Sequence, residues 1–177
     1  MFSGCEIFES DLSQWQVTSK ATILGSMFAC CRNFTSDLSR WDVSNVSNFS
    51  HMFFACHMFN SDLSDWDVSS GTNFSNMFEN CSSITNIGVS NWKLKKAERL
   101  SGMFAFCTNF NENISNWDVS TVTAFDFMFN NCHSFNQDLS EWDVSRGMIF
   151  NCMFYGCTSL TYVFDEWDID KTLVPVK

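Results

Sequence analysis

Residues 59–81 read FNSDLSDWDVSSGTNFSNMFENC, and almost the same string recurs along the whole chain. Tryptophans fall at Trp15, Trp41, Trp66, Trp92, Trp117, Trp142 and Trp167, at spacings of 26, 25, 26, 25, 25 and 25. A Met-Phe pair recurs at 1–2, 27–28, 52–53, 77–78, 103–104, 128–129 and 153–154. Four residues after each first Met stands a cysteine: Cys5, Cys31, Cys56, Cys81, Cys107, Cys132 and Cys157. Apolar columns follow at Met+7 (Phe8, Phe34, Phe59, Ile84, Phe110, Phe135, Leu160) and at Trp+2 (Val17, Val43, Val68, Leu94, Val119, Val144, Ile169). Columns in register mean one structural turn per repeat, each turn burying the same positions against its neighbours.

Two units carry one extra residue, in QVTSKATILGS (16–26) and in TNIGVSN (85–91), and the columns resume their phase after both. Single insertions are therefore expected on the perimeter. In LSDWDV (63–68), Trp66 and Val68 alternate around Asp67, which predicts a short parallel strand across each W-x-V. In SNVSNFSHMFFAC (44–56), the apolar steps of three and four predict a helical or 3₁₀ turn.

The unit containing Phe110-Asn111, Ile114, Trp117-Asp118-Val119-Ser120, Val122-Thr123, Phe125 and Met128-Phe129 resembles the BspA-type leucine-rich repeat family in its 25-residue form. The resemblance covers nearly the whole chain. It implies a right-handed, parallel-β solenoid, often exposed on cell surfaces and often used in adhesion or binding. The chain departs from the pattern at Gly88-Val89 and at Lys93-Leu94-Lys95. With the repeat, the expectation is an α/β solenoid of about seven turns, leucine-rich-repeat-like, with short parallel β-strands stacked against helical or 3₁₀ turns. The whole of 1–177 forms one repeat domain.

The 177 residues are 45% hydrophobic and 16% aromatic, enough for a continuous core. A net charge of -10 disfavours a general nucleic-acid or anionic-membrane binder, and no apolar run reaches the ~20 residues needed to span a bilayer. The start, MFSGCEIFESD, lacks the basic segment and apolar stretch of a secretory signal. The first turn looks uncapped, so missing repeats, another chain or a partner is expected to cover it; at the other end Pro175 can stop the last turn.

The seven tryptophans and Cys31, Cys56, Cys81, Cys107, Cys132 and Cys157 are assigned to the core, the thiols as small buried hydrophobes, with neighbour-turn disulfides or a structural metal as the alternatives. Disulfides would place the chain in an oxidising compartment, and reduced thiols inside a cell.

The outward Trp+1 column reads Gln16, Asp42, Asp67, Lys93, Asp118, Asp143 and Asp168, and the Trp−4 column reads Asp11, Asp37, Asp62, Gly88, Asn113, Asp138 and Val163. Stacked like charges repel and need an offset. Three readings stand side by side: local turn hydrogen bonds, an acidic face for a basic protein partner, or calcium shared between turns. The fourth unit, WKLKKAERL, breaks the ladder and gathers Lys93, Lys95, Lys96 and Arg99, four of the ten basic residues. It serves either as a contact for an acidic partner or as a source of ion pairs for neighbouring aspartates. Candidate binding residues are thus Asp42, Asp67, Asp118 and Asp143 together with these four.

Carboxylates that repeat with the scaffold do not look like one asymmetric catalytic pair. His51, His57 and His133 share no motif, although His57 and His133 each follow a column cysteine. The functional expectation is a non-enzymatic protein-binding or adhesion module, with a structural subunit of a larger assembly as the alternative and a hydrolase the weakest reading.

Overall fold

The computed structural model describes residues 1–17, 20–162, 164–167 and 169. Pro175, Asp168 and Val163, invoked above for the end of the array and the acidic columns, lie outside them. The repeat columns do stack, but the architecture is not an α/β solenoid. Among the described residues there is one short 3₁₀ helix, Val89–Asn91, and no strand. Neighbouring coils instead meet through isolated parallel bridges, Ile23 to Asn48, Asn48 to Asn73, Asn73 to Arg99, Arg99 to Ala124 and Ala124 to Ile149. These fall four residues before each Met, not on W-x-V.

The helical reading of 44–56 fails because two residues in it are left-handed. His51 has φ 56° and Ala55 has φ 55°, and the same two positions, Met−1 and Met+3, are left-handed in the other coils from Ser26 to Gly156. The amide of Met52 closes a turn on Phe49 O at 3.1 Å, and that of Cys56 closes the next on Phe53 O at 3.0 Å. A left-handed residue third in each turn is the pattern of a type II turn. Two such turns in succession bring alternate amides to one side. Phe49, His51, Phe53 and Ala55 then donate to Asn73, Ser75, Met77 and Glu79 of the next coil at 2.8–2.9 Å. The equivalent four bonds recur from the coil of Met27 through that of Met128. The inter-coil ladder is thus threaded through turns.

W-x-V fails as a strand for a complementary reason. Trp66 N closes a turn on Leu63 O, and Gly71 N closes another on Val68 O. From Trp41 to Val144, no Asp, Lys, Val or Leu amide of a W-x-V segment donates to an adjacent coil among the described residues. Alternating inward and outward side chains come from the turns at its ends, not from a sheet.

Inside the stack, Met+1 phenylalanines form one continuous column. Phe28, Phe53, Phe78, Phe104, Phe129 and Phe154 stand 5.5–6.0 Å apart with near-parallel planes. Aromatic faces offset in this way gain about 0.5–1.5 kcal/mol per pair beyond their area burial. Tryptophans are buried from Trp41 to Trp167, and each indole from Trp66 onward donates to a carbonyl of the preceding coil, as Trp92 does to Leu63 O at 3.0 Å. Trp15, assigned to the core, is corrected to 46% exposed, because no described coil lies on its outer side. Trp41 is buried too, and its indole nitrogen has no hydrogen-bond partner among the described residues.

Candidate binding surface

The outward columns acquire their geometry from the turns that hold them. Asp42 Oδ1 accepts the amide of Ser44 at 3.1 Å and its hydroxyl at 2.6 Å. Asp118 accepts both groups of Ser120, and Asp67 and Asp143 accept the amides of Ser69 and Ser145. The Trp−4 column does the same work one turn earlier, with Asp11, Asp37, Asp62, Asn113 and Asp138 each accepting the amide two residues on. Both columns are therefore turn formers. Hydrogen bonds from Ser44, Ser69 and Ser145 hold the carboxyls of Asp42, Asp67 and Asp143 below the ordinary aspartate range. The charge of Lys95 adds to this at Asp67 and that of Asp42 opposes it. Of the three readings of the acidic ladder, local hydrogen bonding is the one present in the geometry.

The basic residues of the fourth unit separate. Lys93 stays in the Trp+1 column between Asp67 and Asp118, exposed. Lys95 and Lys96 line a shallow depression of about 370 Å³ with Thr72, Glu98, Thr121, Thr123 and Arg146. Arg99 lines an adjoining one of about 290 Å³ that shares Thr72 and Glu98. None of these cations makes an ion pair within 4.0 Å among the described residues, where the ion pair present is Arg32 with Glu6 at 3.6 Å. No ion pair to a neighbouring aspartate forms within 4.0 Å among the described residues, although the charge of Lys95 acts on Asp67. None of Asp42, Asp67, Asp118 and Asp143 lines the depression, although Asp143 shares a coil with Arg146.

Arg146 was missed by the sequence reading. The signal was a column: Lys96, Thr121 and Arg146 each stand two residues after the Trp+2 position. Glu112 was missed as well. Its buried carboxylate accepts the amides of Ile87, Gly88 (3.1 Å) and Ser90 (3.3 Å), tying down the inserted loop and the short helix after it. Burial pushes this carboxyl up, and the backbone donors oppose that.

The column thiols are free, and all but the exposed Cys5 are buried. Each from Cys31 to Cys157 donates to the Met+1 phenylalanine carbonyl of the coil before it, at 2.9–3.0 Å. Burial pushes the Cys157 thiol up to about 12 and raises those of Cys31, Cys56, Cys81, Cys107 and Cys132 too, so thiolate nucleophiles next to His57 or His133 are disfavoured. Among the described residues no group of three or more His, Cys, Asp or Glu side chains converges as metal ligands, and no helix is long and apolar enough to cross a membrane.

The family described as "Mycoplasma protein of unknown function, DUF285" matches residues 1–87 and 72–174. The chain belongs to this DUF285 family. The two matched stretches overlap over 72–87, as an in-register repeat allows. Neither a curated protein nor a solved structure matches. The surface of this DUF285 chain that departs from its own repeat is the depression at Lys95, Lys96 and Arg146.

Proposed function

We propose that the chain is a non-enzymatic binding module, engaging a protein partner through the irregular fourth unit and the coils beside it. The observation that carries this reading is a division of labour. The repeating columns are consumed by core packing and turn formation, whereas the non-repeating Lys95, Lys96 and Arg146 gather at a solvent-open depression without ion-pair partners among the described residues. In a stacked array, the exceptions to the repeat are the positions free to specialise. Resemblance of the unit to BspA-type repeats supports the adhesion form of the reading, on a cell surface.

A photo-crosslinking residue at position 95 or 118, introduced in the source cells, tests the proposal. Discrete protein adducts from both positions, weakened when Lys96 and Arg146 are changed to Glu, are expected. Adducts formed only from positions on the first coil, such as 7, would overturn it in favour of an assembly subunit.

A further inference from the structure

We infer that the Lys95–Lys96–Arg146 depression recognises an extended acidic peptide segment carrying two carboxylates three residues apart. This inference rests on the binding-module reading and names its partner class.

The geometry sets the spacing. Lys96 and Arg146 occupy one column two coils apart, which places their backbones roughly 10 Å from each other at the usual inter-chain step. A polyproline-II segment advances about 3.1 Å per residue and returns to the same face every third residue, so carboxylates at i and i+3 span the same interval. Arg offers a planar fork to one carboxylate and Lys a compact charge to the other. Between them stand the hydroxyl-bearing Thr121 and Thr123. Their hydroxyls donate to Ala97 O and Glu98 O, which leaves the hydroxyl oxygens to accept peptide amides.

Two features exclude other modes. Strand addition needs unpaired backbone, yet here the carbonyls of Thr72, Glu98 and Thr123 already accept amides of the next coil. The contact must be made by side chains. Glu98 sits in the depression among the three cations, and the chain carries a net charge of -10. A dense polyanion meets repulsion from both, while a ligand with two isolated carboxylates meets little.

The test is fluorescence anisotropy with labelled hexapeptides on the full chain at about 50 mM salt, where screening of exposed charges is modest. One peptide carries two glutamates separated by two alanines, a second carries glutamines instead, and a heparin-derived hexasaccharide serves as the competing polyanion. The diglutamate peptide should bind roughly tenfold tighter than the diglutamine peptide, the gain expected of two modest ion pairs. That difference should vanish in the double variant Lys96→Gln/Arg146→Gln and persist in Arg40→Gln. Equal binding of the two peptides, a difference that survives the double variant, or tighter binding of the hexasaccharide overturns the inference. Protein adducts through position 95 combined with equal peptide binding would sink the acidic-peptide assignment alone and leave the binding module standing.

Discussion

Cys81 has to satisfy the core and the backbone at once. Its side chain is fully buried, and its thiol donates to Phe53 O at 2.9 Å. Alanine removes that donor and opens a small void, at a cost of about 1–2 kcal/mol measured by chemical unfolding. The thiol column also sets an alkaline limit. Burial raises these thiols, so between their unfolded value near 9.0 and the higher folded values the folded state keeps protons that the unfolded state has lost. Their stabilisation is complete below that unfolded value and falls as pH rises beyond it. In reductant, the double variant Cys81→Ala/Cys107→Ala should therefore lose stability less steeply than the parent between pH ~8 and ~10, where each raised thiol contributes up to about 1.4 kcal/mol per pH unit. Phe127 carries the opposite kind of burden. It is left-handed at φ 57° and 44% exposed. Phe127→Asn should gain about 0.5–1 kcal/mol by relieving the strain, seen as a rise in Tm of ~2–4 °C. Cysteine burial was legible from the column alone. The left-handed positions were hidden, because Asn76 and Gly102, which advertise that backbone, alternate with His51 and Phe127, which do not.

At the scale of one coil, the insertion in the fourth unit and the acid in the fifth form a matched pair. Gly88 is left-handed at φ 78°, and a side chain there would collide with Asp62 and Ser64 of the coil below. The loop around it presents the amides of Ile87, Gly88 and Ser90 inward, and Glu112 takes all three. Other coils place Ser36, Ser61 or Gln137 at this position, each bonding back to the preceding coil. Glu112→Ala should strand those amides and lower stability by about 3 kcal/mol in chemical unfolding, more than the ~1 kcal/mol expected for Ser61→Ala. Each half of the pair was visible in the sequence, but their meeting across 25 residues needed the register of the stack. The strand and helix assignments failed on the same ground. Alternation at W-x-V and steps of three and four before Met-Phe are genuine burial patterns, and turns satisfy them as well as regular elements do.

For the whole molecule, the repeat period, the single core and its columns were readable from spacing, since a period of 25 or 26 residues dictates which side chains share a layer. The depression was not, because Lys95 and Lys96 meet Arg146 only after two further coils are stacked on the fourth. The central structural claim is that backbone bonding between coils runs through the paired turns around Met-Phe and avoids W-x-V. Residue-resolved amide hydrogen exchange tests it most directly. The account predicts strong protection at Phe49, His51, Phe53, Ala55 and their counterparts Phe74, Asn76, Phe78 and Asn80, with fast exchange at Asp42, Asp67 and Asp118. Protection of the W-x-V amides, with fast exchange at His51 and Asn76, would contradict it and restore a stranded wall.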